Sequence, residues 1–310
     1  MKKYRIAVVG IGGVGGYYGG LLANRFAKDE NHEVVFIARG KHKELIAQQG
    51  LKLALDGEEL VVRPSMVTDE TAHIGHFDLV LFCVKSYSLQ QVAEQMAPNI
   101  GPETVILPLL NGAESIAYLQ QRFPEAQVLW GCVYIIASIK EPGVVQVQGQ
   151  YNRLIWGNPE LPEQTLQRIS TLFDEAGINH EHYGQEVKSK VWEKFSFISP
   201  VASLTSLTHQ TMGQIVEQPE LAAQLQQLMQ ELVQVAHAKG IPLPDDIIKR
   251  NLAVVERMQR GVTSSMERDF AQGKDTELEN LTGYVVREAQ KYGVSVPQYE
   301  QVYHKLKGGC

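Results

Sequence analysis

Near the start of the chain, Gly10-Ile11-Gly12-Gly13-Val14-Gly15 carries glycines at the spacing G-x-G-x-x-G, directly after the apolar run Ile6-Ala7-Val8-Val9. Where a strand turns into a helix, the first glycine permits the tight bend and the second lets main chain approach a pyrophosphate. The third lets helix and strand pack closely, and the free amides of the helix start then face the phosphates. A glycine-rich turn also occurs with no ligand at all. The strand before it, the helix-compatible stretch 16–26 after it and a second strand-like run at the expected distance favour the dinucleotide-binding alternative. That second run, Val34-Val35-Phe36-Ile37-Ala38, ends in Arg39-Gly40 with Lys41 beside it and no acid. NAD sites place a carboxylate on the ribose hydroxyls at that point, whereas an arginine accommodates a 2′-phosphate. NADPH is therefore the expected cofactor, the alternative being a solvated arginine at a strand end.

Two more polar residues follow strand-like runs, where ligands bind in open sheets. Lys85 lies in Cys83-Val84-Lys85-Ser86-Tyr87 and Asn111 in Leu109-Leu110-Asn111-Gly112. The lysine can contact a sugar or a substrate carboxylate; the amide can bond both a cofactor ribose and a substrate. Taken singly, each is more often an ordinary polar loop residue. His180-Glu181-His182 puts two imidazoles on one face of a strand, but no third ligand is suggested by spacing, so surface histidines and no metal site are expected. Gly15-Gly16 and Gly19-Gly20 read as close helix–sheet packing, with Tyr17 or Tyr18 available to shield a cofactor.

The elements that position these residues form two halves. Strand-like runs fall at 5–9, 34–38, 79–84, 104–107 and 128–134, with a later group near 144–147 and 154–156. They alternate with helical or turn-rich stretches, the pattern of a parallel sheet with crossover helices. A helix at 162–176 ends at Gly177. Beyond about residue 184 the periodicity becomes helical throughout. Leu221, Leu225, Leu228, Leu232 and Val235 form one stripe closed by Gly240. Another helix is expected after Pro244 with Asp245 and Asp246 in its first turn. A third covers 276–292, before Gly293, and the tail 305–310 reads as a frayed end. The expectation is an α/β fold: a Rossmann-type dinucleotide-binding domain over 1–184, then an all-α domain over 185–310. At 310 residues the chain exceeds the single-core limit of about 250, which also calls for two domains.

Composition narrows the partners. The formal charge of −6, from 29 basic and 35 acidic residues, is spread without blocks of one sign, which disfavours nucleic acid and anionic membrane. Three cysteines at wide spacings fit neither a disulfide framework nor a structural zinc site and suggest a reducing, cytoplasmic setting. The first apolar run is too short for a signal-peptide core, and no run of about 18 apolar residues follows that could span a membrane.

In order along the chain, the glycine fingerprint, Ala38-Arg39-Gly40, Val84-Lys85-Ser86-Tyr87, Leu110-Asn111-Gly112, Trp192-Glu193-Lys194 and Ser264-Ser265-Met266 followed by Thr276-Glu277-Leu278-Glu279 resemble the ketopantoate reductase family. The likeness covers nearly the whole sequence. It implies NADPH-dependent reduction of 2-dehydropantoate to pantoate in pantothenate and coenzyme A synthesis. It also implies that Gly10, Ile11, Gly12, Gly13, Val14, Gly15, Arg39, Lys85, Asn111 and Ala137 hold NADPH, and that Asn111, Lys194, Ser265 and Glu277 line the site of a small 2-oxo acid. Lys194 and Glu277 become the catalytic pair. Hydride addition to a ketone leaves negative charge on the carbonyl oxygen, which an ammonium such as that of Lys194 can stabilise and then protonate. Glu277 would bond the substrate hydroxyl or hold the lysine, and Ser265 a carboxylate oxygen. From the residues alone, an ordinary exposed pair of Lys194 and Glu193 on an amphipathic helix is the preferred reading.

One departure concerns the substrate. The family pattern carries asparagines four and eight residues after the lysine, where this chain has Ile198 and Ala202. Pro200 is expected to kink that helix and redirect Ser196, Ser199 or Ser203 into the pocket. The alternatives are therefore a bulkier or more apolar 2-oxo acid, or an NADPH-binding sensor without turnover. A homodimer stays open.

Overall fold

Apolar runs without polar alternation, such as Ile6-Ala7-Val8-Val9 and Leu79-Val80-Leu81-Phe82, belong to strands covered on both faces, and both runs are completely enclosed. The computed structural model describes residues 2–55, 57–258 and 261–308. The chain divides into two compact units, Met1–Leu110 with Ser115–Val187, and Asn111–Glu114 with Lys188–Cys310.

In chain order the first unit contains β1 (Tyr4–Val9), α1 (Gly13–Phe26), β2 (His32–Ile37), α2 (Gly40–Gln49), β3 (Leu51–Leu55), β4 (Glu58–Val62), β5 (Met66–Thr68) and β6 (Leu79–Phe82). There follow α3 (Leu89–Met96), β7 (Val105–Pro108), α4 (Glu114–Arg122), β8 (Gln127–Val128), β9 (Trp130–Glu141), β10 (Val144–Gly157), α5 (Glu163–Glu175) and β11 (His180–His182). Six strands form a sheet in the order β5-β2-β1-β6-β7-β8, with every ladder parallel. The strand order reverses between β1 and β6, the switch point at which open α/β sheets bind ligands.

A second sheet departs from the expectation of one parallel sheet. β3 and β4 form an antiparallel pair, β3 runs parallel to the first part of β10, and β11 runs parallel to its last part. β9 lies antiparallel along the other edge of β10. The expected strands at 144–147 and 154–156 are thus the two ends of one long strand, with an irregular register between Gln148 and Arg153. The expected run 128–134 divides between β8 and β9. In β3, Leu51 and Leu53 are buried while Lys52 and Ala54 are half-exposed, a two-residue period that five residues barely reveal. Gly16 lets this sheet approach α1: a Cβ there would lie 2.6 Å from Val145 Cγ2. Tyr18, expected as a candidate shield for the cofactor, is instead fully buried in the core.

Of the two histidines expected at the surface, His182 is exposed and His180 is half-buried. His180 accepts a 3.1 Å hydrogen bond from Trp156 Nε1 and sits 3.1 Å from Asp174 Oδ1. His182 stacks on the same indole at 4.7 Å. Both therefore serve the packing of Trp156 against Phe173 of α5.

The second unit is helical: α6 (Val187–Thr208), α7 (Met212–Val216), α8 (Pro219–Ala238), α9 (Ile247–Arg257), α10 (Ser265–Ala271), a π-turn at Glu279–Gly283 running into α11 (Tyr284–Tyr292), and α12 (Pro297–Gly308). Among the described residues no helix is long and apolar enough to cross a membrane. Three expectations change. Asp245 and Asp246 precede α9 rather than occupying its first turn, and Asp246 pairs with Arg250 at 2.8 Å. The expected helix 276–292 is a π-turn followed by a shorter α-helix. The tail expected to fray is helical to Gly308, with Gly309 and Cys310 outside the described residues. Finally, α6 passes through Pro200 without ending.

Glu231, buried in α8, accepts the main-chain N–H of Gln298 at 2.9 Å and of Tyr299 at 3.0 Å. It thereby satisfies donors that the first turn of α12 leaves unpaired. Burial pushes its carboxyl above the ordinary glutamate range, outweighing those two hydrogen bonds. A carboxyl raised in the folded state contributes stability below its unfolded pKa and loses it as pH rises through the folded value. Glu231→Gln removes that titration. The difference in Tm between variant and wild type should therefore move in favour of the variant as pH rises from about 4 to about 7. A constant difference would contradict this account.

Candidate active site

At the switch point, the turn after β1 is shaped by its glycines. Gly10 has φ of +90°, and a Cβ there would meet Val84 Cγ1 at 2.6 Å. A Cβ on Gly15 would lie 2.0 Å from the Gly10 carbonyl oxygen. Gly12, in contrast, faces no heavy atom within 4 Å and occupies the N-cap position of α1, where no side chain caps the helix. The turn is closed toward the protein at Gly10 and Gly15 and open at Gly12, with helix amides left for an anion. These residues fit a pyrophosphate. Ile11 is buried and Val14 half-buried. The main chain of Ala137 in β9 backs onto the turn, since a Cβ on Gly13 would lie 2.2 Å from its carbonyl oxygen.

Lys85 follows β6 by three residues and N-caps a short 3₁₀ turn, Ser86–Ser88. Arg39 is exposed two residues after β2, at the N-cap of α2. Among the described residues no hydrogen bond or ion pair engages its guanidinium, so the group is available to a phosphate. Cys83 lies close beneath the turn, 2.9 Å from the position a Gly15 Cβ would take. Burial pushes its thiol above the ordinary cysteine range.

In the helical unit, α6 carries Lys194, buried to 8% exposure. Its Nζ donates a 2.9 Å hydrogen bond to Asn111 Oδ1. An ammonium has donors only, so the facing amide atom is the oxygen and the Asn111 Nδ2 retains its two donors for a ligand. The segment Asn111–Glu114 is tied to this unit at both ends. Asn280 Nδ2 donates to the Asn111 main-chain oxygen at 2.6 Å, and Arg287 Nη2 donates to Glu114 Oε1 at 2.8 Å. Burial raises the Glu114 carboxyl above the ordinary range despite the guanidinium beside it. Glu277 is buried two residues before the π-turn. Ser265, half-buried, is the first residue of α10, and the cap of that helix is Ser264, whose Oγ accepts from Glu267 N at 3.0 Å. The structure therefore joins Lys194 directly to Asn111 and places Glu277 and Ser265 in the same unit.

The serines expected to turn toward the lysine do not. Ser196 donates to Glu193 O at 2.8 Å and accepts from Asn251 Nδ2 at 3.0 Å. Ser199 donates to Leu281 O at 2.8 Å and lies 2.7 Å from Tyr299 OH, while Ser203 pairs with Thr282 Oγ1 at 2.8 Å. All three are fully buried in helix packing. Ile198 and Ala202 follow Lys194 at helical spacing on its own side of α6. Asn280 and Arg287 were not legible as site residues. The only signal for Asn280 was an amide three residues after Glu277.

A family model described as "Ketopantoate reductase PanE/ApbA" matches residues 6–160, and its C-terminal counterpart matches residues 186–309. The chain belongs to the ketopantoate reductase family. A Bacillus subtilis protein described as the uncharacterized oxidoreductase YkpB is 29% identical over 305 residues, which cover 98% of each chain. The 2-dehydropantoate 2-reductase of Halobacterium salinarum is 29% identical over 294 residues, 94% of each chain. The crystal structure of 2-dehydropantoate 2-reductase from Porphyromonas gingivalis superposes with a TM-score of 0.84 at 34% identity, covering 98% of this chain and 99% of that one. As a ketopantoate reductase family member the chain is a nicotinamide-dependent oxidoreductase acting on a keto/CH–OH pair, built from a Rossmann-like domain and a helical domain.

The open and closed glycines separate ligand binding from folding. Gly12→Val, whose Cβ meets no heavy atom within 4 Å, should leave Tm near that of wild type and weaken dinucleotide binding at least about tenfold, measured by fluorescence titration. Gly15→Val should lower Tm as well, because its side chain has no room. Wild-type affinity in Gly12→Val would rule out the turn as the phosphate site.

Proposed function

We propose that this reductase uses NADPH to reduce 2-dehydropantoate to pantoate, in the cytoplasm, as a step toward pantothenate and coenzyme A. The observation that carries the reading is the buried Lys194 ammonium held on the Asn111 amide in a member of a keto-reductase family. Bound NADPH supplies the hydride. The glycine turn receives the pyrophosphate on the amides of α1, and Arg39 neutralises the 2′-phosphate, with Lys85 and the Ala137 main chain as further contacts.

Lys194 works on the carbonyl oxygen. As the carbonyl carbon gains hydride, the oxygen takes up negative charge, and the ammonium stabilises that charge before giving up one proton to form the hydroxyl. Because Asn111 Oδ1 accepts one N–H of Lys194, it helps to set the direction of Nζ, and the resulting amine still donates to the same oxygen. The Asn111 Nδ2 donors face ligand oxygens. Glu277 accepts from a substrate hydroxyl, and Ser265 donates to a carboxylate oxygen.

A second reading is favoured by one observation, the apolar Ile198 and Ala202 beside Lys194 with the neighbouring serines committed to packing. A substrate hydroxyl without a partner there would be disfavoured by about 1–3 kcal/mol, which points to a 2-oxo acid with a hydrocarbon side chain. Initial rates with ketopantoate and with 3,3-dimethyl-2-oxobutanoate, which lacks only the hydroxyl, decide between the readings. Higher kcat/KM for ketopantoate supports the first, and the reverse supports the second. Turnover of neither acid by a protein that binds NADPH would leave a dinucleotide-binding sensor.

Lys194→Ala should reduce turnover by about 10²–10⁴-fold while NADPH affinity changes little. Undiminished turnover would remove Lys194 from the chemistry. Arg39→Asp should reverse the preference for NADPH over NADH, read as the ratio of kcat/KM values. An unchanged ratio would mean that Arg39 does not meet the phosphate.

A further inference from the structure

We propose that Asn280 is a positioning residue for the reduction: by holding the main-chain carbonyl of Asn111, it sets the direction in which the Asn111 side-chain oxygen meets Lys194. The inference rests on the reading of Lys194 as the proton donor. Asn280 is buried, and its Nδ2 lies 2.6 Å from the Asn111 oxygen. The next residue, Gly112, has φ of +90°, and a Cβ there would lie 2.7 Å from Asn280 Nδ2. The approach of Asn280 thus needs a residue without a side chain immediately after Asn111. Arg287 holds the far end of the segment at Glu114, and its Nη2 also donates to the Glu279 main-chain oxygen at 2.9 Å.

The contacts close into a ring. Lys194 of α6 bonds Asn111, Asn111 bonds Asn280, and Asn280 belongs to the π-turn Glu279–Gly283. The next residue of that turn, Leu281, accepts from Ser199, which is again on α6, five residues beyond Lys194. Thr282 repeats the brace with Ser203. A π-turn inserts an extra residue into a helix, re-aiming the side chains around it, and recurs at functional sites. Here it aims an amide at a loop carbonyl. An apolar residue would pack as well as Asn280 but would leave the Asn111 carbonyl without this donor.

Two variants test the proposal. Asn280→Asp is isosteric: ionised, it faces a carbonyl oxygen with another oxygen, and protonated, it donates as the asparagine does. Its kcat should fall at least about tenfold at pH about 8 and recover toward wild type as pH falls to about 5, with the dissociation constant for NADPH within about twofold. Asn280→Leu should lose kcat without that recovery. In both, the Asn111 side-chain amide resonances should move in NMR spectra of the full chain, whether or not the correct 2-oxo acid is in hand. Unshifted Asn111 resonances, or a wild-type kcat in Asn280→Asp accompanied only by a lower Tm, would overturn the proposal. Failure of the underlying reading shows itself separately, as wild-type turnover that survives Lys194→Ala.

Discussion

A lysine ammonium taken out of water must be met by a fixed acceptor, and the helical unit is organised around that requirement. Desolvating a charge is expensive unless its donors are satisfied, and Lys194 is buried to 8% exposure. The Asn111 amide oxygen is one acceptor that meets it. It lies at 2.9 Å and helps to orient Nζ. The amide itself comes from a short segment that follows β7 in the chain but groups with the helices. Its usefulness therefore depends on how firmly those helices hold it.

The glycine turn solves the complementary problem of binding a polyanion without side chains. Gly10 and Gly15 are filled by the protein's own main chain and by Val84, which fixes the bend, while Gly12 is left open and the helix start uncapped. Affinity for the phosphates then comes from amides that cannot rotate away. On the proposed reading, the choice between phosphorylated and plain ribose would fall to one exposed side chain, Arg39. Removing that single charge would then alter cofactor preference and leave the turn intact, which makes the two properties physically separable.

Of the six-stranded sheet, β5 and β8 are too short to show a run of consecutive apolar residues, whereas β1, β2, β6 and β7 were legible because each carries one. The second sheet was not, because β3 and β10 bury alternate residues over short or irregular stretches, and because Gly149 and the polar residues around it divide β10 in the sequence though not in space. Lys194 and Asn111 were legible from family motifs, and the bond between them required the fold. Asn280 was hidden for a different reason. Helical spacing from Glu277 predicts where its side chain points only if the helix is regular, and the π-turn at Glu279–Gly283 breaks that regularity. The same limit applies to Pro200, which ordinarily kinks a helix yet sits within a continuous α6.

The two sides of α6 show why the apolar substitutions beside Lys194 are not silently compensated. Ser196, Ser199 and Ser203 are chemically able to bond a substrate, but each hydroxyl is already spent on Glu193, Asn251, Leu281, Tyr299 or Thr282. Rotating α6 to bring one of them round would break the braces on the π-turn and release Asn280, and with it the carbonyl of Asn111. The helix is thus held in one rotational setting by its packing side, and its chemical side must be taken as it stands: Lys194, then Ile198, then Ala202. On the proposed reading, a change of substrate side chain would for that reason be met by those two apolar positions and not by any rearrangement of the helix that carries Lys194.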